Sequence, residues 1–267
     1  EMFKIFEIKT ENWNEQKRFL SSGTTSKMRS FHCIEDIKYY HDHTQKIYEE
    51  FYGDLTNSTI MALLPSYLEQ GDSGLISMID SFIEQSSSAY SGYYLESFES
   101  LEKGLYSALK NNEQVILFGV TYALVEFAKQ AKNQFSDLIV VETGGMKGRG
   151  EELTKLEVHN LLKEKLGLKN VHSEYGMTEL LSQAYSRRGG VFECSNWMKI
   201  VVKDLNDPFN TIGNESVGII NIIDLANVHS CCFIESQDIG KKYSNGNFEI
   251  LGRKDNSEVR GCNLLLE

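Results

Sequence analysis

Short apolar runs alternating with amphipathic stretches across the middle of the chain constrain its fold more than any other feature. Thr59–Leu64 (TIMALL), Val115–Val120 (VILFGV), Leu138–Glu142 (LIVVE) and Val171–Glu174 read as strands, with a shorter one at Tyr93–Leu95. Between them Leu75–Ile83, Leu101–Leu109, Ala123–Ala131 and Glu151–Leu166 read as helices, the last ended by Gly167. Another helix is predicted over 34–52, where Ile34, Ile37, Tyr40, Ile47 and Phe51 recur at helical spacing. Strands alternating with helices build βαβ units, and hence a mostly parallel sheet flanked by helices. After about residue 190 the pattern changes. Met198–Lys203, Val217–Asp224, Cys231–Glu235 and Phe248–Leu251 read as short strands separated by turn residues such as Asn206-Asp207-Pro208 and Asn245-Gly246-Asn247. The expected architecture is α/β: a core over residues 1–190 and a β-rich C-terminal subdomain over 191–267. Residues 1–20 are mixed and aromatic-rich and receive no assignment.

Charge narrows the classes of partner. Lysine and arginine total 27 against 38 acidic residues, so 27 − 38 = −11, and such a surface repels phosphate backbones and argues against nucleic acid as a partner. A local nucleotide site stays open, because backbone N–H groups bind phosphate without net positive charge. No apolar run approaches the ~18 residues of a spanning helix, and no signal-peptide pattern opens the chain. The five cysteines are an odd number without a C-x-x-C pair, which fits a reduced, cytoplasmic chain with neither a disulfide framework nor a cysteine-rich zinc site. Cys231 and Cys232 read as core residues of a strand region. His41 and His43 are two apart on a helix and make a poor metal pair. No Ser-His-Asp or Cys-His order supports hydrolase chemistry.

Five segments could carry chemistry, and each has an ordinary reading beside the functional one. SSGTTSKMR, from Ser21 to Arg29, offers hydroxyls, a flexible glycine and two cations suited to a phosphate chain, or is a solvated turn; it is not a Walker A loop. VETGGMKGRGEEL, Val141–Leu153, places four glycines where a strand hands over to a helix, the edge at which open α/β sheets bind ligands. SEYGMTE, Ser173–Glu179, offers the aromatic face of Tyr175, the hydroxyl of Thr178 and the carboxylate of Glu179, or is a glycine turn capped by Thr178. In ESQDIG, Asp238 follows a strand and could accept both hydroxyls of a ribose. LGRKDNSEVRGCNLL sets Arg253 and Arg260 around Asp255 and Glu258, and also reads as a charged surface turn.

The order of these five segments resembles the motif order of the adenylate-forming (acyl-activating) enzyme superfamily. LLPSYLEQG, FGVTYAL, VETGGMKGRG, SEYGMTELLSQAY and GRKDNSEVRGCNLL are more closely similar to its acyl-protein synthetase branch, the fatty-acid-activating component of bacterial luciferase-linked reductase complexes. The resemblance runs from Ser21 to Leu265. It implies the large domain of such an enzyme, ATP and Mg²⁺ as cofactors, and a carboxylic (fatty) acid converted to an acyl-adenylate and then a thioester. By the same resemblance Ser21, Ser22, Gly23, Thr24, Thr25 and Lys27 hold the β- and γ-phosphates, Gly144 and Gly145 with Tyr175 and Gly176 hold adenine, Thr178 touches the α-phosphate, Glu179 binds the metal, and Asp238 and Arg253 grip the ribose. The acyl pocket falls beside the FGVTYAL helix with Tyr122 as a wall. Cys262 becomes the acyl-accepting thiol, favoured as thiolate by Arg260, or else is a small buried residue. A partner that accepts the acyl group or reduces it is also implied.

Two departures qualify the implied activity. Members of the superfamily carry a C-terminal lid of roughly 100 residues, the size of a small domain, and its lysine has no counterpart in this chain, which stops just after GRKDN. The portion before the Ser/Thr/Gly loop is also short. Three other readings therefore stand beside an acyl-protein synthetase: an acyl- or aryl-CoA ligase, a non-catalytic nucleotide-binding subunit, and a plain α/β domain.

Overall fold

Aliphatic and β-branched runs occupy the centre of the sheet, where both faces are covered. The computed structural model describes residues 2–21, 28–64, 72–95, 97–111, 113–144 and 153–254. Strands β3 (Ser58–Leu63) and β5 (Gln114–Val120) are buried throughout except for Gln114, and β6 (Ile139–Thr143) and β7 (Val171–Tyr175) continue the sheet. With β4 (Gly92–Tyr93) these pair in parallel in the order β7-β6-β5-β3-β4. Beyond β7 the pairing turns antiparallel through β8 (Ala184–Ser186), β9 (Val191–Cys194), β13 (Phe248–Arg253), β12 (Phe233–Lys242), β11 (Val217–Asp224) and β10 (Met198–Lys203), giving eleven strands in one sheet.

Helices cover the parallel part on both faces. On one face α2 (Ile37–Tyr52) and α3 (Gly74–Gln85) bury Tyr48 and Phe82 against each other, and Phe82 reaches Phe118 of β5. On the other, α4 (Phe98–Lys110) meets α5 (Thr121–Gln130) through Phe98 and Phe127, and α5 packs on α6 (Lys155–Leu166). The crossover rule explains the division: the step from β3 out to β4 runs opposite to the steps back through β5, β6 and β7, so right-handed connections place their helices on opposite faces. Helix α6 opens with a capping box between Thr154 and Glu157 and closes at Gly167, whose φ of 69° suits glycine. The sequence places that helix start at Glu151, whereas the helix begins at Lys155.

Three differences from the sequence reading concern the site. The first twenty residues contribute a short helix, α1 (Met2–Ile5), and strand β1 (Lys17–Leu20), which pairs antiparallel with β2 (Phe31–Ile34). The Ser/Thr/Gly segment thus lies between two paired strands, which the charged, four-residue β1 does not announce. Strand β12 runs to Lys242 and not to Glu235, so Asp238 lies within a strand and not after one. Its inward positions Ser236 and Asp238 are polar, which hides the period-two pattern that marks a strand. Cys231 and Cys232 lie half-buried ahead of β12 and not in a strand core, because the chain turns at 225–232. No described helix is long and apolar enough to cross a membrane.

Candidate functional site

The C-terminal ends of parallel strands release two turns, and the antiparallel strands bring side chains toward them. Tyr175, the last residue of β7, packs between Phe192 and Phe248 and donates its hydroxyl to Asp238 Oδ2 at 2.8 Å. Burial, and then the Asp238 carboxylate, push the Tyr175 hydroxyl up, so it remains a donor. Arg253 Nε lies 3.1 Å from Asp238 Oδ1, and the ladder pairs Asp238 with Arg253 directly. Burial raises Asp238's proton affinity, opposed by Arg253 and the Tyr175 hydrogen bond. Tyrosine, aspartate and arginine, predicted from three separate motifs, therefore form one chain of contacts.

The turn after β7 is held from behind by buried polar groups. His32 Nδ1 lies 2.9 Å from the Thr178 carbonyl and Nε2 lies 2.9 Å from Ser230 Oγ. A carbonyl only accepts, so Nδ1 carries the proton, and Nε2 accepts from the serine. Burial lowers the pKa of His32 and keeps the ring neutral. Asn227 donates to the Glu179 carbonyl at 2.9 Å. Asp224 receives the N–H groups of Leu181 and Ser182 at 2.8 and 3.0 Å and the Ser182 hydroxyl at 2.6 Å. His43 Nε2, 2.8 Å from the same hydroxyl, donates to it, since that hydroxyl's proton goes to Asp224. Asp224 and Asn227 are fully buried. Leaving such groups unmet costs ~1–3 kcal/mol each, so the network fixes the backbone of 178–182. The Thr178 hydroxyl and the Glu179 carboxylate have no protein hydrogen-bond partner among the described residues, and Glu179 is near enough to raise Asp238's proton affinity. A carboxylate oxygen and a hydroxyl left open side by side suit Mg²⁺ and a phosphate oxygen.

The turn after β6 has its own support. Thr121 Oγ1 lies 2.7 Å from the Gly144 carbonyl and 2.9 Å from Glu142 Oε2, while Lys155 Nζ lies 3.2 Å and His159 Nε2 3.5 Å from Glu142 Oε1. Burial would raise the Glu142 pKa, but the charge of Lys155 and the approach of His159 overcome it and hold the carboxyl at about 2. Gly144 has a φ of 70°, a backbone that only glycine adopts easily.

The remaining predicted residues divide by position. Ser21 stands at the base of its loop: its N–H donates to the Ser30 carbonyl at 2.8 Å, its Oγ accepts from Ser30 N at 3.0 Å, and its carbonyl receives Arg29 Nε. Gly176 is exposed at the start of its turn, and Tyr122 is buried in α5. His172, just ahead of SEYGM, meets the Tyr52 hydroxyl at 3.3 Å. Ser22, Gly23, Thr24, Thr25, Lys27, Gly145 and Cys262 lie outside the described residues. Sequence reasoning missed His32, Asn227, Asp224, Glu142 and Lys155. Glu142 stood inside VETGGMKGRGEEL, Lys155 two residues past it and His32 just past the Ser/Thr/Gly segment, whereas Asp224 and Asn227 stood in no recognised motif.

The architecture is that of the large domain of adenylate-forming enzymes. Solved structures sharing it include ATP-bound MatB from Rhodopseudomonas palustris, with TM-score 0.64 and 15% identity over 88% of this chain and 47% of that enzyme. O-succinylbenzoate Coenzyme A synthetase (MenE) from Bacillus subtilis, in complex with ATP and magnesium ion, gives TM-score 0.61 and 16% identity over 88% and 49%. The anthranilate CoA ligase AuaEII in complex with anthranoyl-AMP gives 0.60 and 16% over 89% and 47%. The chain spans about half the length of these enzymes. No protein-family model matches it, and no curated protein matches it in sequence.

Proposed function

We propose that the protein binds ATP with Mg²⁺ and activates a carboxylic acid as its acyl-adenylate, passing the acyl group to a thiol. The observation that carries this reading is the turn at 178–179, whose backbone is held by His32, Asn227 and Asp224 while its hydroxyl and carboxylate have no protein hydrogen-bond partner among the described residues and Glu179 lies near Asp238. An adenylating enzyme must bring together two anions and align a carboxylate oxygen with the α-phosphorus, so positioning and charge neutralisation are its main tasks. The acid's oxygen forms a bond to the α-phosphorus as the bond to the bridging oxygen breaks and pyrophosphate leaves. A thiolate then attacks the acyl carbon and AMP departs. In this scheme Thr178 donates to the α-phosphate, Tyr175 and Gly176 bound the adenine, and Asp238, oriented by Tyr175 and Arg253, accepts from the ribose. Magnesium, held by Glu179, would offset the triphosphate charge.

The resemblance to acyl-protein synthetases makes the acid aliphatic and the acceptor a protein cysteine, with Cys262 the candidate within this chain. Coenzyme A is the second reading, favoured by the CoA ligases that share the fold. Carboxylate-dependent exchange of pyrophosphate into ATP tests the activation step. Glu179→Ala is expected to lower exchange at least about 100-fold, the scale of removing one group that stabilises transition-state charge. A folded, ATP-binding protein without exchange for any acid would refute activation by this chain. A hydroxylamine-labile thioester that disappears in Cys262→Ser would assign the acceptor to the protein itself, whereas labelling of free coenzyme A alone would assign it to the cofactor.

A further inference from the structure

The hairpin that joins β11 to β12 supplies three of the side chains that hold the 178–182 turn. Asp224 receives the N–H groups of Leu181 and Ser182, Asn227 donates to the Glu179 carbonyl, and Ser230 donates to His32, which in turn holds the Thr178 carbonyl. The hairpin is itself fastened, by the Tyr39 hydroxyl on the Ala226 carbonyl at 3.2 Å and by Thr10 N on the His229 carbonyl at 3.1 Å. Its last two residues before β12 are adjacent cysteines, Cys231 and Cys232.

Cys232 touches two of the three clamping residues. Its Sγ lies 3.4 Å from the Asn227 carbonyl, and its own carbonyl accepts from Asp224 N at 2.8 Å. Cys231 Sγ lies 3.2 Å from the Phe233 carbonyl. A carbonyl only accepts, so each sulfur contact needs the thiol proton. Both cysteines are half-buried, bracketed in sequence by the exposed Val228 and Phe233. The two thiols are also close together: after burial and the Asp224 charge, Cys231 is what raises the proton affinity of Cys232. Cys33 and Cys194 differ, because burial pushes both up to about 12 and keeps them as inert thiols.

We infer that Cys231 and Cys232 form a reversible dithiol–disulfide site through which a small disulfide, of the oxidised-glutathione class, loosens the 178–182 turn. The Cys231 thiolate attacks the small disulfide and one small thiol leaves; the Cys232 thiolate then attacks the Cys231 sulfur and the second leaves. One protein S–S bond forms and the S–S bond of the oxidant breaks, while two electrons and two protons pass from the cysteines to the departing thiols. Neighbouring Cα atoms stand about 3.8 Å apart, nearer than the roughly 4.4–6.8 Å of ordinary disulfides, so such a bond belongs with the readily reduced ones and the step runs both ways. Oxidation removes the proton that Cys232 gives to the Asn227 carbonyl and draws its sulfur toward Cys231. Asn227 and Asp224 then lose their shared hold on Cys232, and with it the positions from which they fix Glu179, Leu181 and Ser182. Nothing in this coupling requires acyl-adenylate formation, only the clamp.

The test is incubation of the full chain with oxidised glutathione, followed by peptide mass spectrometry and amide hydrogen exchange. The peptide holding Cys231 and Cys232 is expected to lose two hydrogens and to regain them in dithiothreitol, with Cys33 and Cys194 unmodified. The amides of Leu181 and Ser182 should exchange about ten-fold or more faster in the oxidised protein, as local opening of the turn becomes less costly. Cys232→Ser keeps a donor for the Asn227 carbonyl and cannot form the disulfide, so its turn should exchange as in the reduced protein with or without oxidant; should it not fold, Cys231→Ser carries the test. A stable mixed disulfide with glutathione, reaction at neither cysteine, or an oxidised pair whose turn exchanges unchanged overturns the inference. So does faster exchange under oxidant in the serine variant. Exchange is read without acid or nucleotide, so the outcome is separate from that of the pyrophosphate assay.

Discussion

Glu142 and Glu174 stand on neighbouring strands, one step apart in register, yet the two faces of the sheet drive their proton affinities in opposite directions. On the α6 face Lys155 and His159 approach Glu142 and hold its carboxyl at about 2 despite burial. On the α2 face Glu174 has only the Thr143 hydroxyl among the described residues. Burial, with the Glu142 charge also acting against ionisation, pushes its carboxyl up to about 7. Glu142 is the more buried of the two, so burial cannot account for its lower proton affinity, and the difference lies in the cation that faces it. One carboxylate is paired with Lys155 beside the glycine turn, and the other faces no cation among the described residues.

The comparison breaks most visibly if the cation is removed. Lys155→Met leaves Glu142 buried with its charge largely uncompensated and should cost about 3 kcal/mol in urea unfolding at neutral pH. A loss within the ordinary scatter of surface substitutions would show that Lys155 does not hold the carboxylate.

The pH dependence sharpens the same contrast. Glu142, lowered on folding, contributes stability that is present above the unfolded carboxyl pKa and is lost as pH falls toward about 2. Glu174, raised on folding, works the other way: the native state holds its proton more tightly, so stability falls as pH rises from the ordinary carboxyl range to about 7, then levels. Glu174→Gln should therefore gain about 3 kcal/mol above that plateau and nothing in acid. Melting curves across pH that run parallel for variant and native protein would contradict it.

A smaller effect is expected within the Tyr175–Asp238–Arg253 chain. Asp238→Asn keeps the shape and loses the charge, and should weaken nucleotide binding about ten-fold, equivalent to ~1.4 kcal/mol, as read by calorimetry. Unchanged affinity would refute the proposed ribose contact of Asp238. Least is expected of Arg253→Lys. The Arg253 side chain is 32% exposed, and partly solvated pairs contribute ~0–1 kcal/mol, so nucleotide affinity should shift less than for Asp238→Asn.

Much of the scaffold was legible because its causes are local. Runs such as VILFGV and LIVVE are buried on both faces of a parallel sheet and read as continuous apolar strands, and the helices between them carry one apolar stripe. Within the site, Tyr175, Thr178, Glu179, Asp238 and Arg253 were legible as motifs, and the structure joins Tyr175, Asp238 and Arg253 through direct contacts. What stayed illegible depends on distant partners. His32 meets Thr178 across 146 positions and Asn227 meets Glu179 across 48. No spacing rule in a single chain encodes such contacts. Strand β12 was cut short for a related reason: Ser236 and Asp238 point inward, and a polar residue on an inward position looks like a strand's end until its partners are known.

Local preferences along the chain set the alternation of strands and helices, the change to short strands near residue 190, and which residue types stand at the strand ends, since backbone propensity and hydrophobic period act over a few residues. The tertiary structure alone decided which carboxylates are neutralised, which carbonyls are clamped and which polar atoms are left open. Charge and hydrogen-bond compensation depend on groups within a few ångströms in space, whatever their distance along the chain.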